Sequence, residues 1–423
     1  MTESPDVLII GGGVVGVSAA YYLAAQGARV TLVEQGEIAS GCSYGNAGLI
    51  VPSHSLPLAA PGALAGGLRW MLDRDSPFYI RPRLDAALLG WVLRFAAAGT
   101  PGQVRRSIPV LRDLSQASSA LHAELAALAG PGYGYSASGL LMLYNSRRGF
   151  AAGQEEAHLL REFGLAAEVL DGDQARQREQ VIRPEVLGAV RFPGDAHLTP
   201  ALFMRYMADL VEAAGVRVVT HTEVLGFETA GRAVQRVRTT RGDCEPRQVV
   251  LAAGAWSPAV ARGLKLKLPI QPAKGYSLTL QGSAAQPGTA MLLGEARVAV
   301  TPMVSAANTG SGAVLRLAGT LELAGLDFSI NPRRVEAIRR AARGYLAGVE
   351  DMATLEIWRG LRPCTPDGLP IIGRPRSLDN LIVAAGHGML GLSLGPITGK
   401  LVAQLAAGQA PALDLGPLRV DRF

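Results

Sequence analysis

The sequence predicts an α/β protein: a Rossmann-type dinucleotide-binding domain, discontinuous along the chain, with a mixed-sheet α+β domain inserted into it. Three observations predict this. The segment DVLIIGGGVVGVSAAYYLAAQG from Asp6 joins an apolar run, a glycine-rich turn and a helix-spaced stretch. Two later runs, GVRVVTHTEVLGFE at 215–228 and RQVVLAAGAWSP at 247–258, read as further strands of the same sheet. A second glycine-rich stretch, AAGHGMLGLSLGPITGK at 384–400, carries five glycines and runs into the helix-like LVAQLAAG.

The first element is the strand Asp6–Ile10, apolar without alternation, as a strand buried on both faces should be. Gly11, Gly13 and Gly16 follow in G-x-G-x-x-G spacing. Gly11 permits the tight turn, Gly13 lets a pyrophosphate approach the backbone at Val14 and Val15, and Gly16 lets the helix pack on the strand. The phosphates are expected at the helix N-terminus, where free N–H groups favour anions. The helix stops at Gly27, and ARVTLVE is a β-branched second strand ending in Glu34. That carboxylate is placed to accept from ribose hydroxyls, which disfavours the 2′-phosphate of NADP and leaves FAD and NAD both open. The strand expected within 215–228 ends at Val224. The strand before Ala253 and Gly254 ends in a turn. One sheet system is therefore expected from 1–50, 190–265 and 355–423, and a second domain from 51–189 and 266–354.

Composition bounds the rest. The chain has 423 residues, 48% hydrophobic and 18% charged, enough for two domains. The net charge of +6 is scattered, with no Lys/Arg run of nucleic-acid type, so no nucleic-acid partner is expected. A basic face can still attract anionic substrates or a membrane surface. Three cysteines, Cys42, Cys244 and Cys364, lie far apart, which fits neither a disulfide framework nor a cysteine metal site and points to a reducing compartment. The start MTESPDVLIIGGG has no signal-peptide pattern, and no apolar run is long enough to span a membrane; 49–68 is broken by three prolines and a histidine. The expected location is cytoplasmic. The apolar stretch 84–99 reads as a core helix, or alternatively as a surface resting on the inner face of the cell membrane.

Over nearly its whole length the chain resembles the FAD-dependent amine oxidoreductases of the D-amino-acid oxidase superfamily. It is most similar to the bacterial D-amino-acid dehydrogenase branch (small subunit type). The residues that carry this are SYGNAGLIVPSH (43–54), PLAAPG (57–62), KGYSLTL (274–280), WRGLRPCTPDGLPIIG (358–373) and GHGMLGLSLGP (386–396). The resemblance implies FAD rather than NAD, and it makes the discontinuous domain the FAD-binding one and the inserted domain the substrate domain. It implies that Gly386, His387, Gly388, Met389, Leu390 and Gly391 lie against the isoalloxazine ring, with Pro396 opening the next helix. Ser43, Asn46, Ala47 and Gly48 carry over as FAD contacts, with Val224, Ala253 and Gly254 on the later strands. Tyr44, Gly45 and His54 depart from the D-alanine-type pattern, which puts the usual broad substrate range in doubt.

The resemblance assigns Arg362, in GLRP, to the substrate carboxylate, a task that suits a planar guanidinium. The alternative is a structural ion pair with Asp367. Tyr276 is expected to hydrogen-bond substrate or line the flavin face, with Lys274 a weaker candidate, and His54 is expected at the active site. His387 polarises the ring or plays a structural part. His122 and His158 are expected on surface helices, His197 in a loop, and Arg359 in a structural role. No two histidines have metal-ligand spacing, so no metal is expected, and no GxSxG elbow occurs. Cys364 is a packing residue in preference to a covalent flavin link.

The function these residues predict is amino-acid catabolism by a D-amino-acid dehydrogenase that moves hydride from Cα to flavin. Cyclic D-imino acids such as D-proline or cis-4-hydroxy-D-proline are the favoured substrates. A quinone or another electron carrier is the expected partner. A broad D-alanine-type dehydrogenase is the first alternative, and a glycine or sarcosine oxidase using dioxygen the second. A component of RNA modification would need a second catalytic domain or a basic stripe. A non-catalytic flavoprotein is disfavoured by the intact GLRP and GHGMLG.

Overall fold

The structure, a computed structural model, describes residues 4–59, 76–282, 286–306 and 312–423. The last part of PLAAPG, at 60–62, lies outside the described residues. Among the described residues a six-stranded sheet runs in the order Ile371–Gly373, Leu381–Ala385, Gln248–Leu251, Val7–Ile10, Val30–Val33, Arg217–Val219. All neighbours are parallel except the first pair. Val7, Leu8, Ile9 and Ile10 are all buried because both faces of the sheet are covered. On one face the helices Val14–Ala25, Pro200–Ala213 and Gly391–Ala406 contribute Val17, Phe203 and Val402 to a common core. On the other, Val234 and Val237 pack with Leu8 and Val249.

The stretch 215–228 is two strands, not one. Val219 ends the first. The chain then turns, with His221 at φ 50, and Val224 opens the hairpin Val224–Ala230 with Ala233–Thr239. Apolar patterning cannot see this turn, which is held by the Thr222 N–H on the Glu34 carbonyl at 2.8 Å.

Among the described residues the second sheet has nine strands: Thr354–Cys364, Gln271–Gln281, Ala313–Leu323, Val298–Val304, Ala290–Leu293, Leu140–Tyr144, Gly188–Phe192 and Glu168–Asp171, with Phe78–Ile80 beside Ala313–Leu323. Helix Pro332–Arg343 covers one face, packing Val335 and Ile338 with Tyr276, Leu278 and Leu317. Three elements sit elsewhere than expected. Thr354–Cys364 pairs along its length with Gln271–Gln281, in the large sheet rather than with the 355–423 group. Gly188–Phe192, also in the large sheet, straddles the expected boundary at 190. Helix Pro101–Ala129, within 51–189, packs Leu111, Leu114 and Leu121 against Leu394, Ile397 and Leu401 of the last helix. Periodicity shows which face of an element is apolar, not which partner covers it.

Pro396 lies inside helix Gly391–Ala406 rather than at its start. Without an N–H it leaves the Leu392 carbonyl with no helical donor. His122, from Pro101–Ala129, fills that place: its Nε2 stands 3.1 Å from the Leu392 oxygen. His122 is therefore fully buried, not on the surface, and burial lowers its pKa to about 4, so the bonding form is neutral.

Helix Ala86–Ala98 starts at Asp85, whose carboxylate accepts from the Ala87 and Leu88 N–H groups. It buries Leu88 and Trp91 and leaves Leu89 and Leu93 exposed. No described helix is long and apolar enough to cross a membrane.

Candidate active site

A cavity of about 1440 Å³ runs between the two sheets. It is larger than the roughly 300–1,000 Å³ of an ordinary small-ligand pocket. It is bordered by Glu34 and Val224, by Gly11, Gly13, Val14, Val15 and Ser43, by Ala253 and Gly254, and by Gly386 to Gly391.

The first loop is shaped by close approach. Gly11 has φ +114, and a Cβ there would stand 2.5 Å from the Ala252 oxygen. At Gly16 a Cβ would stand 1.9 Å from the Gly11 oxygen. Gly16 accordingly serves helix–strand packing and does not border the cavity. Glu34 is held through both oxygens, by the Gly12 N–H at 2.7 Å and the Gly36 N–H at 2.9 Å. Ser43 Oγ accepts the Val14 N–H at 3.0 Å, so the 42–50 segment is tied to the start of the helix. Asn46 and Ala47 border the cavity. Gly48 does not, contrary to expectation: its φ is +77, and a Cβ would meet the Leu198 oxygen at 2.2 Å, so its glycine serves a turn.

Arg316, buried in the large sheet, fixes this segment. Its Nη1 donates to the carbonyls of Tyr44 and Asn46, each at 3.2 Å. Gly45 between them has a reason of its own: a Cβ would lie 2.0 Å from the Trp358 indole. The Glu34 carboxylate, the helix start at Val14, the glycine loop at 386–391 and the volume of the cavity together fit FAD.

Arg362 borders the cavity, half-buried. Its Nη1 donates to the Thr320 carbonyl at 2.7 Å, and it lies against Gly275, where a Cβ would stand 2.0 Å from Nη1. Asp367 pairs with Arg422 at 2.8 Å, not with Arg362. Among the described residues no carboxylate pairs with Arg362.

Tyr276 is among the residues that border the cavity, but most of its side chain belongs to the core of the large sheet. Strand pairing sets it opposite Arg359, while Ala273 is opposite Arg362, so alternation puts Tyr276 and Arg362 on opposite faces of the sheet. Its ring packs with Leu278 and Leu280, and its hydroxyl accepts the Asn331 N–H at 3.3 Å. Lys274 is structural: Nζ donates to Asp327 at 2.8 Å and pairs with Glu322 at 3.6 Å. Arg359 donates to the Phe328 carbonyl at 3.0 Å.

His387 anchors the second glycine loop. Thr398 donates its hydroxyl to the Leu394 carbonyl at 2.8 Å, so it accepts from His387 Nε2 at 2.9 Å. Burial lowers the His387 pKa to about 4. Cys42 and Cys364 also border the cavity, but burial pushes their thiols up, to about 11 and about 12. His197 is buried in the short strand Ala196–His197, not in a loop.

His54 borders the cavity, as do Met142, Glu156, Leu292 and Arg297. Its Nδ1 is 3.1 Å from Ser53 Oγ. Burial, and then the charge of Arg297, lower its pKa to about 4. Behind it, Ser53 Oγ donates to Asp195 at 2.5 Å and the Ser53 N–H to the same carboxylate at 3.0 Å. Arg316, Ser53 and Asp195 escaped the sequence reading. An arginine inside the apolar run AVLRLAGT was a signal for the first, whereas Asp195 in GDAHLTP looks like an ordinary turn residue.

A profile of the family described as FAD dependent oxidoreductase matches residues 6–405. The chain is 34% identical to the D-amino acid dehydrogenase of Methylobacterium radiotolerans, over 99% of both chains. It is 33% identical to the D-amino acid dehydrogenase of Cereibacter sphaeroides, over 99% of this chain and 95% of the other. Among solved structures, glycine oxidase from Geobacillus kaustophilus superposes with a TM-score of 0.80 at 23% identity, each chain covered in full.

Proposed function

The chain belongs to the family of FAD dependent oxidoreductases, and on that premise we propose that it is a dehydrogenase of D-amino acids, with cyclic D-imino acids preferred. The observation that carries this is Arg362, a cation on the cavity with no described carboxylate of its own. The full-length likeness to proteins named D-amino acid dehydrogenase supports the D configuration.

FAD, when bound, supplies the acceptor for the hydride that leaves Cα. Arg362 holds the substrate carboxylate through the N–H groups that Thr320 does not take, and so turns the single hydrogen of Cα toward the glycine loop at 386–391. Ser43 and Arg316 hold the 42–50 segment, and His387 ties the second glycine loop to the helix that follows it. The imine of a primary amine then hydrolyses in water to oxo acid and ammonia.

The cyclic preference rests on His54. The Gly45 departure is accounted for by Trp358, and the Tyr44 side chain is directed to Glu356. A quinone or another carrier takes the electrons onward. The test is anaerobic mixing of the FAD-loaded protein with D- and L-alanine, proline and 4-hydroxyproline, followed by a hydrogen peroxide assay in air. The flavin band should bleach with D-proline or cis-4-hydroxy-D-proline faster than with D-alanine, with little peroxide formed. Faster bleaching by D-alanine would remove the cyclic preference. Bleaching only by L-forms, glycine or sarcosine would overturn the reading.

A further inference from the structure

The chain His54–Ser53–Asp195 has no part in holding the cofactor or the substrate carboxylate. Asp195 is 2% exposed, and its carboxylate bonds only to the hydroxyl and N–H of Ser53 among the described residues. No described cation pairs with it. A buried, uncompensated carboxylate is costly, so a structure that keeps one without an ion partner needs a use for it. Ser53 Oγ stands between Asp195 at 2.5 Å and His54 Nδ1 at 3.1 Å. No described group bonds Nε2 of His54, and His54 borders the cavity.

We propose that His54, Ser53 and Asp195 form a proton relay that takes the proton from the substrate ammonium before hydride leaves Cα. This rests on the amine-oxidation reading above. An amino acid in water carries an ammonium group, and only the free amine has a lone pair to expel hydride. In the relay the ammonium N–H bond breaks and its proton joins His54 Nε2. The Nδ1 proton passes to Ser53 Oγ, and the Ser53 hydroxyl proton passes to Asp195 Oδ2. The electron pair of the broken N–H bond stays on the amine, and nothing is oxidised or reduced in this step.

The relay solves a problem the site sets for itself. Burial and Arg297 both oppose an imidazolium at His54, so the ring alone is a poor base. Passing its other proton onward leaves the ring neutral throughout. The charge change falls on Asp195, which burial raises to about 7 against the pull of the two Ser53 bonds. Arg297, at the end of the Leu293–Arg297 turn, acts on His54, and Glu156 on helix Arg147–Glu162, whose carboxyl burial also raises, acts on Arg297 and lines the same cavity.

The test uses the full chain loaded with FAD, as wild type and as Asp195→Asn, Ser53→Ala and Ser53→Thr. Anaerobic flavin reduction by the best D-amino acid is followed against pH, with substrate affinity measured separately. Wild type should gain rate as pH rises through about 7. Asp195→Asn and Ser53→Ala should lose that limb and fall on the order of 10²-fold at neutral pH with affinity kept, while Ser53→Thr keeps the limb. Infrared spectra without substrate should show a protonated-carboxyl band that titrates near the same pH and is missing in Asp195→Asn. A wild-type pH profile in both Asp195→Asn and Ser53→Ala overturns the relay, as does absence of the band. Should Asp195→Asn not fold, Ser53→Ala and Ser53→Thr still decide it. A wild-type flavin that no D-amino acid reduces overturns the dehydrogenase reading instead, and the infrared band then tests the proton store alone.

Discussion

Trp358 lies between two glycines: a Cβ at Gly45 would stand 2.0 Å from its Cδ2, and one at Gly360 2.1 Å from its Cη2. The indole therefore fills space that any side chain at position 45 would contest. Gly45→Ala should force the ring or the 44–46 backbone to move, costing about 1–3 kcal/mol. Because Arg316 holds the carbonyls on either side, the same change should speed FAD loss. Thermal unfolding and the rate of FAD release check both, and adding Trp358→Leu should recover most of the loss if the contact is the cause. At this scale the sequence was legible where the constraint is local. Gly11, Glu34 and Gly386 border the cavity as their motifs imply. It was opaque where the partner is distant. Gly45 stood out as a departure, yet its reason lies at residue 358. KGYSL shows that Tyr276 alternates with its neighbours but not which face the cavity takes. Gly48 looked like a cofactor contact because the whole of SYGNAG does, and only packing against Leu198 separates it from the rest.

The last helix, Gly391–Ala406, survives an internal proline by borrowing a donor from a neighbour. His122→Leu should leave the Leu392 carbonyl buried and unpaired, a loss of roughly 1–3 kcal/mol. Pro396→Ala restores the helical N–H at that carbonyl. The cost of His122→Leu should then shrink in the Pro396→Ala background, a coupling readable in a double-mutant cycle of denaturant midpoints. Equal cost in both backgrounds would mean that His122 contributes packing alone. Existence and type of this helix were legible from its periodicity. The place of Pro396 was not, because a proline usually marks a first turn, and what permits it five residues further in is a histidine some 270 positions away. The split of 215–228 into two strands was hidden for a similar reason. The turn at His221 is held by bonds to the Glu34–Gly36 loop rather than by turn-forming residues of its own.

At the scale of the whole molecule, buried titrating groups give stability a defined pH dependence. His54, His122, His197 and His387 are each lowered by burial to about 4 from 6.5. Between those values the unfolded chain binds more protons, so stability is full above about 6.5 and lost as pH falls through about 4. Asp195 runs the other way. Its native pKa is raised from 3.8 to about 7, so its contribution is full below 3.8 and lost as pH rises through about 7. At fixed FAD concentration, Tm should climb from pH 4 to 6.5, and Asp195→Asn should gain on wild type as pH rises from about 4 to about 7 and hold that gain above it. A constant difference between the two at every pH would mean that Asp195 is not the group responsible. The alternation of two sheet systems was legible because each returns as an apolar run. Their membership was not, since Thr354–Cys364 and Pro101–Ala129 are defined by partners far along the chain. The strand order carries a further consequence, for synthesis. Val7–Ile10 is made first, but its neighbour Gln248–Leu251 leaves the ribosome 238 residues after Ile10, and Leu381–Ala385, beside that neighbour, later still. At about 5–20 residues per second, the newborn amino-terminal strand waits roughly ten seconds to a minute with one apolar edge unpaired. That interval is when the growing polypeptide is most open to mispairing with other chains, and when a chaperone would have most to protect.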